Sequence, residues 1–167
     1  MKIDGEPITD QTLRKMRSLF ASGVAVVTTV HEGKLRGITV SAFASVSLDP
    51  PLVLICLASE SESKDWIAEG GIFAVNLLSD EQEFLSERFA ARAPIVNARF
   101  DGVSYHTALT GSPILADSLA WYDCRTEATH DGGDHTIFIG RVEAVGYGAE
   151  GKQPLLYFAN RYVGVSD

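Results

Sequence analysis

Small hydroxyl side chains are the chemistry-bearing groups this sequence sets at regular spacing. From Ile38 to Pro51 it reads ITVSAFASVSLDPP. Thr39, Ser41, Ser45 and Ser47 share one parity, interrupted only by Phe43, and Val40, Ala42, Ala44, Val46 and Leu48 share the other. A strand facing bulk water normally carries some Lys, Glu or Arg on its polar side. Small residues instead leave the peptide groups within reach of a flat ligand, while Val46 and Leu48 are expected to pack inward. A second hydroxyl run follows in CLASESESK. Ser59, Ser61 and Ser63 lie where a buried strand gives way to a short helix, so hydroxyls and helix N-terminal N–H groups could hold a phosphate, with Lys64 as a nearby cation. The same run reads equally well as a Ser-rich loop that caps the helix.

Other catalytic signatures are missing. There is no GxSxG elbow, HExxH pair, Walker loop or spaced carboxylate pair. His31 and His106 fall in turn-like or irregular segments. His130 and His135 flank DGGD, but turn residues account for them better than a metal site with so few convergent ligands, and no metal is expected. Cys56 and Cys124 sit in apolar, strand-like runs and read as free buried thiols of a reducing compartment.

The elements that must position these groups come from a chain of 167 residues with 46% apolar and 22% charged residues, long enough for a real core and expected to form a single domain over 1–167. A net charge of −8 disfavours a sequence-independent grip on nucleic acid or anionic lipid. The N-terminus has no apolar targeting core and no run is long enough for a membrane span, so a cytoplasmic protein is expected. Asp10 can cap a first helix carrying Leu13, Met16, Leu19 and Phe20, giving an N-terminal helical segment over 1–22. Strands are expected at 24–30, in a return strand running through the Ile38–Pro51 stretch, and at 52–58, an apolar run of the kind buried on both faces. A short helix with Trp66 and Ile67, a strand at 72–78 and a Ser79-capped helix with Phe84, Leu85, Arg88 and Phe89 come next. Residues 92–118 look irregular. Strands at 119–128 and 135–148 and a strand or turn in the tail complete the chain. Many strands, short helices and hairpin spacing imply a mainly β, antiparallel barrel with peripheral helices.

The blocks FASGVAVVTT, RGITVSAFASVSLDPPLVLICL, FAVNLLS, GDHTIFIGRVEAV and PLLYFANRYVGV, in that order, closely resemble the short-chain flavin reductases, the reductase components of two-component flavin monooxygenases. The resemblance implies an antiparallel FMN-binding split barrel over 23–165. It also implies a homodimer that reduces FMN or FAD with NADH or NADPH and supplies reduced flavin to a partner flavin-dependent monooxygenase. Carried over position by position, Thr39, Val40, Ser41 and Ala42 approach the flavin ring and ribityl chain. Ser45, Val46 and Ser47 continue along the ring. Cys56, Leu57 and Ala58 supply backbone beside the isoalloxazine, and Ser61, Ser63 and Lys64 meet the phosphate. Many members have Asn at the Ala58 position and Arg at the Ser59 position, a departure that leaves FMN against FAD open. His135 matches the family histidine near the nicotinamide and is the candidate catalytic group; a strand-start His bonded to its turn is the plainer alternative. Tyr157, Arg161 and Tyr162 match residues at the nicotinamide side of the mouth, or else pack as ordinary edge residues. Trp66, Phe84, Phe89 and Trp121 are assigned to core or dimer packing, and Asn76 to a backbone bond near the site. The lack of an Arg-rich patch for a 2′-phosphate favours NADH. The competing readings are a non-catalytic flavin- or haem-binding module and a pyridoxamine-phosphate-oxidase-like enzyme on the same barrel.

Overall fold

The computed structural model describes residues 5–90, 100–148 and 150–165. The positions 91–99 within and beside the segment expected to be irregular lie outside them. Helix α1 (Asp10–Ser18) starts at the residue expected to cap it, one position earlier than expected. Thr9, not Asp10, is the N-cap, accepting from the Thr12 N–H at 3.1 Å while its own N–H donates to Thr12 Oγ1 at 2.9 Å. β1 (Ser22–Gly23) precedes β2 (Ala25–His31) and β3 (Lys34–Val40), which form a hairpin turned by Glu32 and Gly33, both at positive φ. β4 (Phe43–Leu48) and β5 (Pro51–Ala58) form a second hairpin. Then come α2 (Glu62–Gly70), stopped by left-handed Gly71, β6 (Ile72–Leu77), and α3 (Glu83–Phe89) after one 3₁₀ turn. β7 (Tyr105–Thr107) pairs with β8 (Pro113–Leu115), β9 (Ala120–Asp131) with β10 (His135–Tyr147), and β11 (Leu156–Phe158) with β12 (Arg161–Val163).

Seven strands join in the order β3-β2-β6-β9-β10-β5-β4, each pair antiparallel. The expected single return strand does not exist. β3 and β4 are consecutive in the chain, yet they occupy opposite edges of the sheet, separated only by Ser41 and Ala42. That short crossing draws the two edges together into a barrel, and the Cys56 N–H, donating to the Ala42 carbonyl at 3.1 Å, extends the β4–β5 ladder by one rung into the crossing.

Inside, Val27, Val53, Ile55, Phe73, Val75 and Phe138 form the main core. Gly140 keeps the β9–β10 hairpin close to it, because a Cβ there would overlap the Phe73 ring. A second cluster, around Val26, Leu78, Leu85 and Phe89, seats α3 on the outside. The small β1-β11-β12 sheet closes one side through Ser22↔Tyr157 and Tyr157↔Tyr162. Thus 100–118, expected to be irregular, contains a short hairpin. Asn76 pins it, accepting from the Leu115 N–H at 2.8 Å while donating to the Val26 carbonyl at 3.0 Å.

Two expectations about burial change. β5 alternates, with Val53, Ile55 and Leu57 facing the core and Leu54 and Cys56 only half-buried outside. On β4, Val46 is 47% exposed and Leu48 92% exposed, and Phe43 is the residue that packs inward. A register shift between Ser45 and Ser47 puts Val46 in a bulge, but Ala44 ahead of it is exposed too and Ser47 beyond it is half-buried, so along β4 the face expected to be polar is the one turned inward. Helix α1 buries none of its residues in this chain.

Candidate functional site

Helix α1 turns one face, Asp10, Leu13, Arg14 and Arg17, toward the turn after β5 and the start of β10. A cleft of about 610 Å³ opens between them, its far wall formed by Ala58, Ser59, Glu60, Asp134 and His135. A smaller cleft of about 190 Å³ lies where the end of β3 meets α3 and the C-terminal hairpin. It is lined by Arg17, Val24, Thr39, Val40, Ser41, Ser86, Ala90, Tyr157 and Tyr162. Arg17 lines both.

The wall with His135 is fixed by backbone pairing. His135 stands opposite Ala58 in the β10–β5 ladder, and the Ser59 N–H donates to the Asp134 carbonyl at 2.9 Å. The turn is sharpened by Gly133, at positive φ, whose N–H donates to Asp131 Oδ1 at 3.0 Å. His135 Nδ1 lies 2.7 Å from Asp134 Oδ1. The hydrogen bond and charge of His135, with the Arg14 guanidinium further off, hold the Asp134 carboxyl below its ordinary value. A carboxylate on Nδ1 fixes the imidazole's orientation and leaves Nε2 as the nitrogen for another molecule.

The smaller cleft is tied by side chains. Thr39 Oγ1 donates to the Ser86 carbonyl at 2.7 Å, so that hydroxyl is engaged with α3. The Tyr162 hydroxyl lies 2.8 Å from Ser86 Oγ and donates to Glu87 Oε1 at 2.5 Å. Its ring meets Tyr157 edge-on, with centroids 5.2 Å apart.

Of the expected site residues, the structure brings Thr39, Val40, Ser41, Tyr157 and Tyr162 to one cleft and Ala58 and His135 to the other. Ala42 lies at the seam between them in sequence and space, bonded to Cys56. The Leu57 side chain points into the core, which leaves only its backbone for a ligand. Cys56 is half-buried, and burial pushes its thiol up from the ordinary value. Ser61 is the N-cap of α2 but its hydroxyl makes no capping bond, so the loop-cap alternative does not account for it. Ser63 is buried in the first turn, and Lys64 Nζ pairs with Asp65 at 2.6 Å. Ser45, Val46 and Ser47 lie along the β4 edge and Arg161 is exposed beside the β11–β12 turn; none lines either cleft. Asn76 does bond backbone, but outside both clefts.

The histidines expected in turns are differently placed: His31 ends β2 against Trp66, and His106 on β7 meets Trp121 edge-on. Phe89 is core as expected, whereas Phe84 is exposed. Sequence reasoning missed Arg14, Arg17, Glu60, Ser86 and Asp134. For Arg14 and Arg17 a signal was present, since their spacing of three puts them on one helix face.

Residues 16–166 match the flavin reductase like domain family. The chain is 39% identical over 163 residues to the flavin-dependent monooxygenase reductase subunit HsaB of Rhodococcus jostii, covering 98% of this chain and 82% of that one. It is 40% identical over 159 residues to the NADH-dependent flavin reductase StyB of Pseudomonas fluorescens, covering 94% and 91%. Its fold superposes on the NADH:FAD oxidoreductase SgcE6 of Streptomyces globisporus, solved in complex with NAD and FAD fragments. There the TM-score is 0.87 and the identity 31%, over 97% of this chain and 98% of that one. A match over this much of the chain, on an antiparallel barrel with two clefts that share Arg17, places the protein among the oxidoreductases of the flavin reductase family.

Proposed function

We propose that this protein uses NADH to reduce FMN or FAD and passes the reduced flavin to a partner monooxygenase. The observation that carries this reading is the pair of joined clefts, with Thr39–Ser41 and two tyrosines in one and Ala58 and His135 in the other. The residues present suit a flavin. Ser41 and Ala42 leave backbone accessible beside the seam, and the Ser61 hydroxyl, not used for capping, stands at a helix N-terminus fit for phosphate. Ser63 and Lys64 adjoin that terminus. Bound flavin supplies the hydride-accepting ring, and the protein's task is alignment and exclusion of water. Nε2 of His135, oriented through Asp134, would hydrogen-bond the nicotinamide carboxamide or the flavin edge. Tyr157 would stack on the nicotinamide, with Tyr162 behind it.

Two exposed apolar surfaces support a homodimer: Ala44, Val46 and Leu48 on the β4 edge, and Met16, Leu19 and Phe20 of the N-terminal segment. In that assembly Ser45–Ser47 would approach flavin from the second copy. No helix among the described residues is long and apolar enough to cross a membrane, and two free thiols agree with a cytoplasmic setting. The test is NADH and NADPH oxidation with added FMN, FAD or riboflavin, followed by light scattering for mass. No oxidation above the free-flavin background with any pair would overturn the reductase reading, and a monomer mass would overturn the dimer.

A further inference from the structure

We propose that Arg14 and Arg17 form a diphosphate clamp at the junction of the two clefts, holding the ADP moiety that NADH and FAD share. The identity of the dinucleotides rests on the reductase reading; the anionic class of the ligand rests on the side chains themselves.

The chain carries a net charge of −8, and several of its other basic groups among the described residues are engaged. Arg36 pairs with Glu62, Lys64 with Asp65, Arg141 with Glu127 and Lys152 with Glu81, while Arg88 donates to the Asp101 carbonyl. Among the described residues neither Arg14 nor Arg17 has a carboxylate within ion-pair distance, yet both line the larger cleft. Lys15, which follows Arg14 on the same helix, lines neither. Three positions of helix separate the two Cα atoms by about 4.5 Å along the axis. That spacing suits two linked phosphates, and a planar fork on each favours bidentate contacts.

The position of Arg17 favours two phosphates over one. It lines both clefts, so its side chain stands between them. A dinucleotide has the same layout, with an anionic middle and a ring-bearing half on either side. One half would lie along Thr39–Ser41 and the tyrosines, the other toward Leu13 and His135. Asp10, Glu60 and Asp134 share the larger cleft; Asp134 already faces His135, and the other two carboxylates can accept from ribose hydroxyls.

The test is calorimetric titration of wild type, Arg14→Gln, Arg17→Gln and the double variant with ADP-ribose, FAD, FMN and riboflavin. Both side chains belong to a helix that buries nothing, so folding should survive, and circular dichroism checks it. Each neutralisation should weaken ADP-ribose, FAD or both about tenfold, and leave riboflavin unchanged. Weakening of ADP-ribose alone assigns the clamp to the hydride donor, and weakening of FAD relative to FMN assigns it to the flavin. The proposal is overturned if the double variant binds both dinucleotides as wild type does, or if riboflavin weakens equally. Wild-type flavin reduction alongside unchanged dinucleotide affinity in the variants would remove the clamp and keep the reductase. The converse pattern would keep the clamp and remove the reductase.

Discussion

Replacing Tyr162 by Phe removes one hydroxyl and leaves the ring in place, which makes it a clean probe of the smaller cleft. That hydroxyl donates to Glu87 Oε1 at 2.5 Å and lies 2.8 Å from Ser86 Oγ. A hydrogen bond to a charged acceptor contributes about 1.5–3 kcal/mol and a neutral one about 1 kcal/mol. Because Tyr162 is only half-buried, the charged bond belongs at or below the lower end of its range, and the pair together comes to about 2 kcal/mol. For a chain of this size that corresponds to a fall of about 4–8 °C in Tm. The same substitution should reach the site. The Ser86 carbonyl accepts from Thr39 at 2.7 Å, so Tyr162, Ser86 and Thr39 form one tie from the C-terminal hairpin through α3 to β3. Loosening it should raise KM for flavin while kcat changes little, since the Tyr157–Tyr162 ring contact remains. Thermal melts and steady-state titrations of Tyr162→Phe, Ser86→Ala and the double variant measure both effects, with a coupling of about 1 kcal/mol expected. A Tm within about one degree of wild type together with an unchanged KM would refute the tie.

Ser41→Trp should fill the smaller cleft and abolish flavin binding in a folded protein; normal quenching of flavin fluorescence by that variant would remove Ser41 from the site. His135→Ala should slow NADH turnover more than it weakens flavin binding, and the reverse order would count against its role. The Cys124 thiol is pushed up to about 12, first by burial and then by Asp123 and Glu143. The folded chain therefore keeps a proton that the unfolded chain releases from about 9 upward. The stability this gives is full below that value and is lost as pH rises toward about 12. Iodoacetamide at mildly alkaline pH should accordingly modify Cys56 slowly and Cys124 only after unfolding; equal native-state rates would contradict the burial of Cys124.

The strands at 25–31, 51–58 and 72–77 were legible because β-branched and apolar runs bounded by turn residues leave few alternatives. The break at Ser41–Ala42 was not. Alternation records which way side chains point along an extended backbone, and it is blind to which neighbour that backbone joins. Nor does alternation say which parity faces inward: Phe43, which looked like the exception on the polar side, is the inward residue, and Ala44 beside it is exposed. Strands as short as β7 and β8 carry too few residues for any period. The buried Asn76 and Asp123 are settled only by partners distant in sequence, Leu115 and Thr110 among them. Helix α1 was read for its apolar spacing, and that reading obscured Arg14 and Arg17 on another face. Its apolar residues mark a surface that needs a cover without naming what covers it.

The opening run of small residues answers two demands at once. Only two residues carry the chain from one edge of the seven-stranded sheet to the other, and the second of them, Ala42, is already paired to β5 through the Cys56 N–H on its carbonyl. A crossing that short brings the end of β3, the start of β4 and the outer face of β5 together, and it leaves Ser41 and Ala42 both exposed. Ser41, with Thr39 and Val40 just before it, also lines the smaller cleft, so the bulk missing from the crossing becomes ligand space. A large residue at Ser41 should therefore obstruct the ligand without unfolding the barrel. Melting temperature and flavin affinity test this together: Ser41→Trp is expected to lose affinity at near-normal stability, and a large fall in Tm would refute it.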